Sequence, residues 1–141
     1  MASKTDFTED EWEAMQKGVV GAGMLVSISD RDFTDTFGEV GALAKYLADQ
    51  HEHAESPLVR ELAETHRTGF GITSSGEKVE AETLDSLRAA VAALTAKAPD
   101  EVDGYRQLVL GVADHVANAK GGVAPSETAA IEKVKEAVGA G

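Results

Sequence analysis

The chain has 141 residues, enough for one domain to bury a core without disulfide or metal staples. It contains no cysteine, which excludes disulfides, thiolate metal sites and thiol nucleophiles. Its 25 acidic and 13 basic residues give a formal charge of −12, and the basic residues are spread evenly, so no nucleic-acid-binding surface is expected. We therefore predict a single domain over residues 1–141 whose partners are cations or the basic surfaces of other proteins.

The beginning of the sequence does not have the pattern of a secretory signal. Residues 1–12, "MASKTDFTEDEW", are polar and acidic, whereas a signal needs a basic start and an apolar run. The longest apolar stretch, "GVVGAGMLVSI", is well short of the ~20 residues that span a bilayer. We expect no membrane insertion and a cytoplasmic location.

Six amphipathic helix patterns follow one another along the chain. Thr8 and Glu11 form a capping box before the first, and Pro57, Pro99 and Pro125 stand in the first turns of the third, fifth and sixth. The six apolar stripes are Trp12, Met15, Val19 and Ala22; Phe37, Val40, Ala44 and Leu47; Leu58, Val59 and Leu62; Leu84, Leu87, Val91 and Leu94; Val102, Tyr105, Val109, Val112 and Val116; and Ile131, Val134 and Val138. No segment alternates as a strand would, so the predicted fold class is all-α, a compact bundle of about six helices.

Several glycines lie inside these helix patterns. Each costs about 1 kcal/mol relative to alanine, so we predict that they mark places where helices cross closely. The run "GVVGAG" at 18–23 resembles a nucleotide loop, but it lies within a helical stripe and no strand precedes it. The one long glycine-rich connection, residues 68–77, is predicted to be a flexible loop, with the fourth helix starting at Glu80.

The four histidines do not form a recognisable metal motif. No histidine lies four residues from another, as a zincin helix requires, and surface positions are the usual location of this residue. One alternative stays open: a metal-dependent hydrolytic enzyme, if His66 or His115 were buried in a pocket against two carboxylates. Another is a small-ligand site between helices, which periodicity does not distinguish from ordinary packing.

Carboxylates concentrate between the first two helix patterns. Asp30, Asp32 and Thr34 begin the spacing of an EF-hand, but Asp35 and Gly41 stand where that loop needs glycine and glutamate. Two interpretations remain: the acids cap the next helix and complement its dipole, or they form a site for a hard divalent cation such as Ca²⁺.

The first and last turns resemble each other. In both, an apolar helix end leads through a short turn to a hydrophobic residue and then to a glutamate, Glu39 or Glu127. Leu43 and Ile131 follow the glutamate by four residues, Lys45 and Lys133 by six, and Tyr46 and Val134 by seven. We predict two weakly similar helix-turn-helix halves.

The closing segment resembles the TerB-like (tellurite resistance) family, whose signature is approximately Ala-Asp-Gly-x-hydrophobic-x-Pro-x-Glu before an amphipathic helix. The matching residues are Ala119, Gly121, Val123, Pro125 and Glu127. Lys120 replaces the aspartate of that signature. In the first turn Asp30 takes the aspartate position, Arg31 replaces the glycine and the glutamate comes late, at Glu39.

The resemblance implies an all-helical bundle with two similar halves that is associated with stress response or tellurite resistance. We expect a non-enzymatic module. Such a module would act as a protein-interaction scaffold or sensor, with an acidic surface that binds divalent metal weakly. The candidate metal ligands are Asp30, Asp32, Glu39 and Glu127; no other cofactor is expected. The ammonium of Lys120 would repel a cation at the second turn, which favours the first.

Overall fold

The computed structural model describes residues 4–29, 36–54, 57–63, 76–118 and 125–139. Within these ranges the chain forms six α-helices and two short 3₁₀ turns, and no strand. The helices are α1 (Glu9–Ser29), α2 (Thr36–His53), α3 (Pro57–Ala63), α4 (Gly76–Lys97), α5 (Val102–Ala117) and α6 (Pro125–Ala137). The prediction of an all-α bundle of about six helices is confirmed.

The helix starts follow local chemistry that the sequence displays. The capping box before α1 is formed: the Thr8 amide donates to Glu11 Oε1 at 2.8 Å, and the Glu11 amide donates to Thr8 Oγ1 at 3.1 Å. Pro57 and Pro125 are the first residues of α3 and α6. Pro99 instead opens a 3₁₀ turn, so α5 begins three residues after it.

The fourth helix is longer than its apolar stripe predicts. It begins at Gly76, inside the segment predicted to be a loop, and not at Glu80. The added turn carries good helix formers such as Lys78. Glu80 also pairs with Lys133 of α6, a contact between distant residues that no local pattern reveals. The rest of the predicted loop lies outside the described residues.

The described helices share one hydrophobic core, and α1 is at its centre. α1 packs along α4 and α5 and also contacts α2, α3 and α6. The largest fully buried side chains come from α1, α3, α4 and α5: they include Tyr105, Met15, Leu58, Leu62, Leu87, Leu94 and Leu108. No helix of the described residues is both long and apolar enough to cross a bilayer.

Two glycines of α1 allow its neighbours to approach closely. A Cβ at Gly18 would lie 2.5 Å from the Tyr105 hydroxyl and 2.8 Å from Leu87 Cδ2. A Cβ at Gly21 would overlap Thr83 of α4. The predicted role of these glycines at close crossings is therefore confirmed, because there is no room for a side chain at either position.

Alanine substitution at Gly18 tests this constraint. Ordinary helix propensity favours Gly18→Ala by about 1 kcal/mol, but overpacking a core costs roughly 1–3 kcal/mol. Because the new Cβ meets two buried side chains at once, we expect overpacking to win and the free energy of unfolding to fall in urea denaturation. Gly104→Ala is the matched control: its Cβ would lie 3.5 Å from Val59 Cγ2, an ordinary contact. That variant should be neutral or more stable by up to about 1 kcal/mol; a stabilised Gly18→Ala variant would contradict the close crossing.

Two buried hydroxyls lie between α1 and its neighbours, and they differ in hydrogen bonding. The Tyr105 hydroxyl donates to the Met15 carbonyl oxygen at 2.9 Å, and burial raises the pKa of this phenol. Thr83 Oγ1 is also buried but has no hydrogen-bond partner among the described residues. A buried polar group without a partner costs stability, so Thr83 is a weak point of the α1–α4 contact.

Replacing the Thr83 hydroxyl by a methyl group should stabilise the protein. Thr83→Val keeps the shape of the side chain and removes the unpaired oxygen, so we expect the free energy of unfolding to rise by about 1 kcal/mol in thermal or urea denaturation. Thr95→Val is the control, because Thr95 Oγ1 is exposed and donates to the Val91 carbonyl oxygen at 2.7 Å. A loss of stability in Thr83→Val would mean that the hydroxyl has a partner.

Candidate functional site

The four predicted cation ligands fall at two helix junctions. Asp30 and Asp32 lie outside the described residues, as do Thr34, Asp35 and Lys120. Glu39 is in the first turn of α2 and Glu127 is the third residue of α6; their backbones are described and their side chains are not. The positions of the flanking helices therefore decide whether the two junctions are neighbours.

α4 runs in the opposite direction to α1. Near the start of α1, Glu11 pairs with Lys97, the last residue of α4, at 2.5 Å. Further along α1, Lys17 pairs with Glu82 at 3.5 Å and Gly21 faces Thr83, both in the first half of α4. The start of α4 therefore lies at the end of the bundle to which α1 runs.

α6 also runs antiparallel to α1, whereas α5 runs parallel to α1. Arg106, at the start of α5, donates from Nε to the carbonyl oxygen of Val138, just beyond α6, at 2.6 Å. Earlier in α6, Lys133 pairs with Glu80 near the start of α4. Pro125, the first residue of α6, therefore lies at the end of the bundle where α1 ends. α5 is antiparallel to α6, so its last residue lies at the same end.

The start of α2 belongs to the same end. Tyr46 of α2 stacks on His115 in the last turn of α5, with ring centroids 4.2 Å apart. α3, which follows α2, has Val59 against Gly104 near the start of α5. α2 therefore runs antiparallel to α5. Glu39 precedes Tyr46 by seven residues, so its backbone lies about 10 Å from that of Tyr46, in the direction in which α5 runs.

One end of the bundle thus collects both candidate junctions. We call it the turn end: it comprises Ser29 of α1, Thr36 of α2, Gly76 of α4, Ala117 of α5 and Pro125 of α6. The segments 30–35 and 119–124 connect helices at this end. The sequence predicts that Asp30, Asp32, Glu39 and Glu127 offer oxygen ligands to a hard cation, and these residues belong to or adjoin the two junctions.

The Tyr46–His115 pair is a feature that the sequence did not predict. The rings are tilted by 32°, and His115 Nδ1 lies 2.9 Å from the Gly111 carbonyl oxygen, which requires that Nδ1 carry the proton of this bond. The Tyr46 hydroxyl occupies the space that a side chain at residue 111 would need. Burial, and then the nearby Asp49 carboxylate, raise the pKa of Tyr46. The pair fixes α2 on α5, and only the interior glycine at 111 hinted at it.

The described histidines do not form a catalytic arrangement. His51, His53 and His115 are exposed, as predicted for surface histidines, and each points Nδ1 at a backbone carbonyl oxygen. His115 therefore does not meet the condition set for the hydrolase alternative, and His66 lies outside the described residues. Across those residues, no group of three or more histidines or carboxylates could hold a metal ion.

The opposite end of the bundle has its own polar cluster around Lys97. The Lys97 ammonium pairs with Glu11 of the capping box and lies 5.8 Å from the centroid of the Phe7 ring. The hydrogen bond from Lys97, followed by the Thr8 amide, lowers the pKa of Glu11. This cluster joins the start of α1 to the end of α4.

The Glu11 contact should make stability depend on pH in the acid range. Because its folded-state pKa is below the ordinary 4.5, the contribution of this carboxylate is complete at neutral pH and is lost as the pH falls through the folded-state value. Glu11→Gln keeps an acceptor for the Thr8 amide but loses the charge facing Lys97. We expect this variant to be less stable than the wild type at pH 7, with the difference vanishing in denaturation curves well below pH 4.5. Glu13→Gln, an exposed neighbour, should show no comparable trend; an equal loss in both variants would argue against a specific Lys97 contact.

No protein-family model, curated protein or solved structure matches the chain. The TerB-like kinship and the activity it implies therefore remain predictions from the quoted residues.

Proposed function

We propose that this chain is a non-enzymatic, TerB-like module that serves as a protein-interaction scaffold or sensor in a stress response, and that it binds a divalent cation weakly at the turn end. In this proposal Asp30 and Asp32 are the principal ligands, and Glu39 and Glu127 are accessory ones. The observation that carries it is the common location of the two similar helix junctions, which brings the two glutamate-bearing helix starts to one end of the bundle.

The described residues also support the similarity of the two halves. Lys45 and Lys133, equivalent in the proposed repeat, are both exposed. Their successors Tyr46 and Val134 both pack inward: Tyr46 lies against the core and Val134 is fully buried. The same alternation at equivalent positions is what a repeated helix-turn-helix unit requires.

Electrostatics favour a cation as the ligand of this end. The chain carries a formal charge of −12, and clustered carboxylates attract hard cations such as Ca²⁺, which prefer oxygen ligands. Lys120 would oppose a cation at the second junction, so we place the principal ligands at the first. A site with few carboxylates and an ammonium nearby should be weak, with a dissociation constant on the order of 1 mM.

The cation proposal is tested by calorimetric titration of the full chain with Ca²⁺, Mg²⁺ and Zn²⁺. We expect heat of binding, and at about 10 mM ion a stabilisation of about 1.4 kcal/mol if the dissociation constant is about 1 mM. The double variant Asp30→Asn/Asp32→Asn should abolish both effects, while Lys120→Asp should tighten binding because it replaces the repelling ammonium with a carboxylate.

The control removes the same charge from the opposite end. Asp10→Asn/Asp100→Asn changes two exposed carboxylates near the starts of α1 and α5. This variant should bind the ion like the wild type. Equal loss in both double variants would show general attraction to an acidic protein, and no heat or stabilisation in the wild type would eliminate the cation site.

The scaffold proposal is tested separately by affinity capture from the native cell. A protein that is retained by the wild type and identified by mass spectrometry would define the partner. Loss of its capture with Asp30→Asn/Asp32→Asn, but not with Asp10→Asn/Asp100→Asn, would assign the contact to the turn end. Turnover of a captured small molecule by the purified chain would instead favour the enzymatic alternative.

A further inference from the structure

α6 is attached to the bundle by small side chains. Its described residues that are fully covered are Ala130, Val134 and Ala137, followed by Val138 directly after the helix, and Ile131 is covered in part. None of the largest fully buried leucine, methionine or tyrosine side chains belongs to it. The largest buried side chains of the core therefore come from α1, α3, α4 and α5, and α6 contributes smaller ones.

The Arg106 guanidinium of α5 binds the end of α6. The Arg106 guanidinium donates from Nε to the Val138 carbonyl oxygen at 2.6 Å and from Nη1 to Asp103 Oδ1 at 3.2 Å. Gly139 follows with φ of +75°, and its amide donates to the Glu136 carbonyl oxygen at 3.1 Å, which ends the helix. Because the last carbonyls of a helix have no partners within it and form the negative end of its dipole, a guanidinium is well suited to close this end.

An ion pair also joins α6 to α4. Lys133 pairs with Glu80 of α4, but its side chain is 52% exposed, and pairs of this kind are worth little in water. Lys135 pairs with Glu132 within α6. Arg106 is thus a polar clamp between α5 and the end of α6, and its second contact is with the exposed Asp103 of its own helix.

We propose that α6 opens as a unit while α1, α4 and α5 stay packed, and that Arg106 is the clamp that sets how often it does so. Opening uncovers the sides of α1, α4 and α5 that α6 contacts. Opening also moves the start of α6 away from the turn end. α6 thereby connects the Arg106 clamp at one end of the bundle with the α5–α6 junction at the other. The opening itself does not depend on the proposed function, because it follows from the burial and the clamp alone.

Hydrogen exchange of the full chain, followed by mass spectrometry, tests the proposal. In the wild type, amides of residues 128–139 should exchange at least about tenfold faster than the protected amides of α1, α4 and α5. Arg106→Met keeps an apolar stem and removes the donors, so exchange of α6 should rise about tenfold further while the other helices change little. Arg88→Met is the control, because Arg88 is exposed and its described ion pair is with Asp85 on its own helix.

Two results of this experiment would overturn the proposal. Exchange of α6 at the same rate as α5 in the wild type would show that they open together, and equal acceleration of all helices in Arg106→Met would show a global effect. Urea dependence gives a second measurement that needs no variant: opening of α6 alone exposes little surface, so its exchange should depend on urea more weakly than that of α5. An equal dependence would contradict separate opening.

Discussion

The packing of this fold depends on the close approach of α4 and α5 to the side of α1 that carries Gly18 and Gly21. Gly18 leaves room for the Tyr105 hydroxyl and Leu87, and Gly21 leaves room for Thr83. Because α1 contacts every other helix, this close approach sets the distance and direction of the helices around it. Glycine lowers helix propensity at these positions, and the stripe of Met15, Val19 and Ala22 offsets that cost by burying apolar surface.

The directions of the helices bring the two candidate junctions to one end of the bundle. Since α4 and α6 run against α1 while α5 runs with it, the two junctions that resemble each other leave the same end of the bundle. The Tyr46–His115 stack and the Arg106 clamp reinforce this arrangement, one holding α2 on α5 and the other holding α6 on α5. Both contacts join residues far apart in the sequence, so they define tertiary structure without affecting where any helix begins.

Charge is distributed in a way that fits an interaction module. The ion pairs that bridge helices, Glu11–Lys97, Lys17–Glu82 and Glu80–Lys133, tie α4 to α1 and α6. Surface pairs of this kind contribute little stability individually, so the core is held mainly by apolar burial. The formal charge of −12 attracts cations and basic surfaces, which is the property that the proposed function uses.

The sequence by itself determined the all-α class, the capping box at Thr8 and Glu11, the helix starts at Pro57 and Pro125, and the stripes of the described side chains, because these depend on neighbours within a turn or on the period of one helix. Phe37, Val40 and Ala44 of the second stripe lie outside the described side chains. The sequence also located close crossings through the interior glycines, but not what crosses there. Only the tertiary structure decided that Thr83, without a hydrogen-bond partner among the described residues, lies against Gly21 and that Arg106 closes α6. The sequence identifies the candidate ligands Asp30, Asp32, Glu39 and Glu127. That their two junctions lie at the same end of the bundle follows from the helix directions. Those directions follow from contacts between residues that are dozens of positions apart, and no local pattern encodes them.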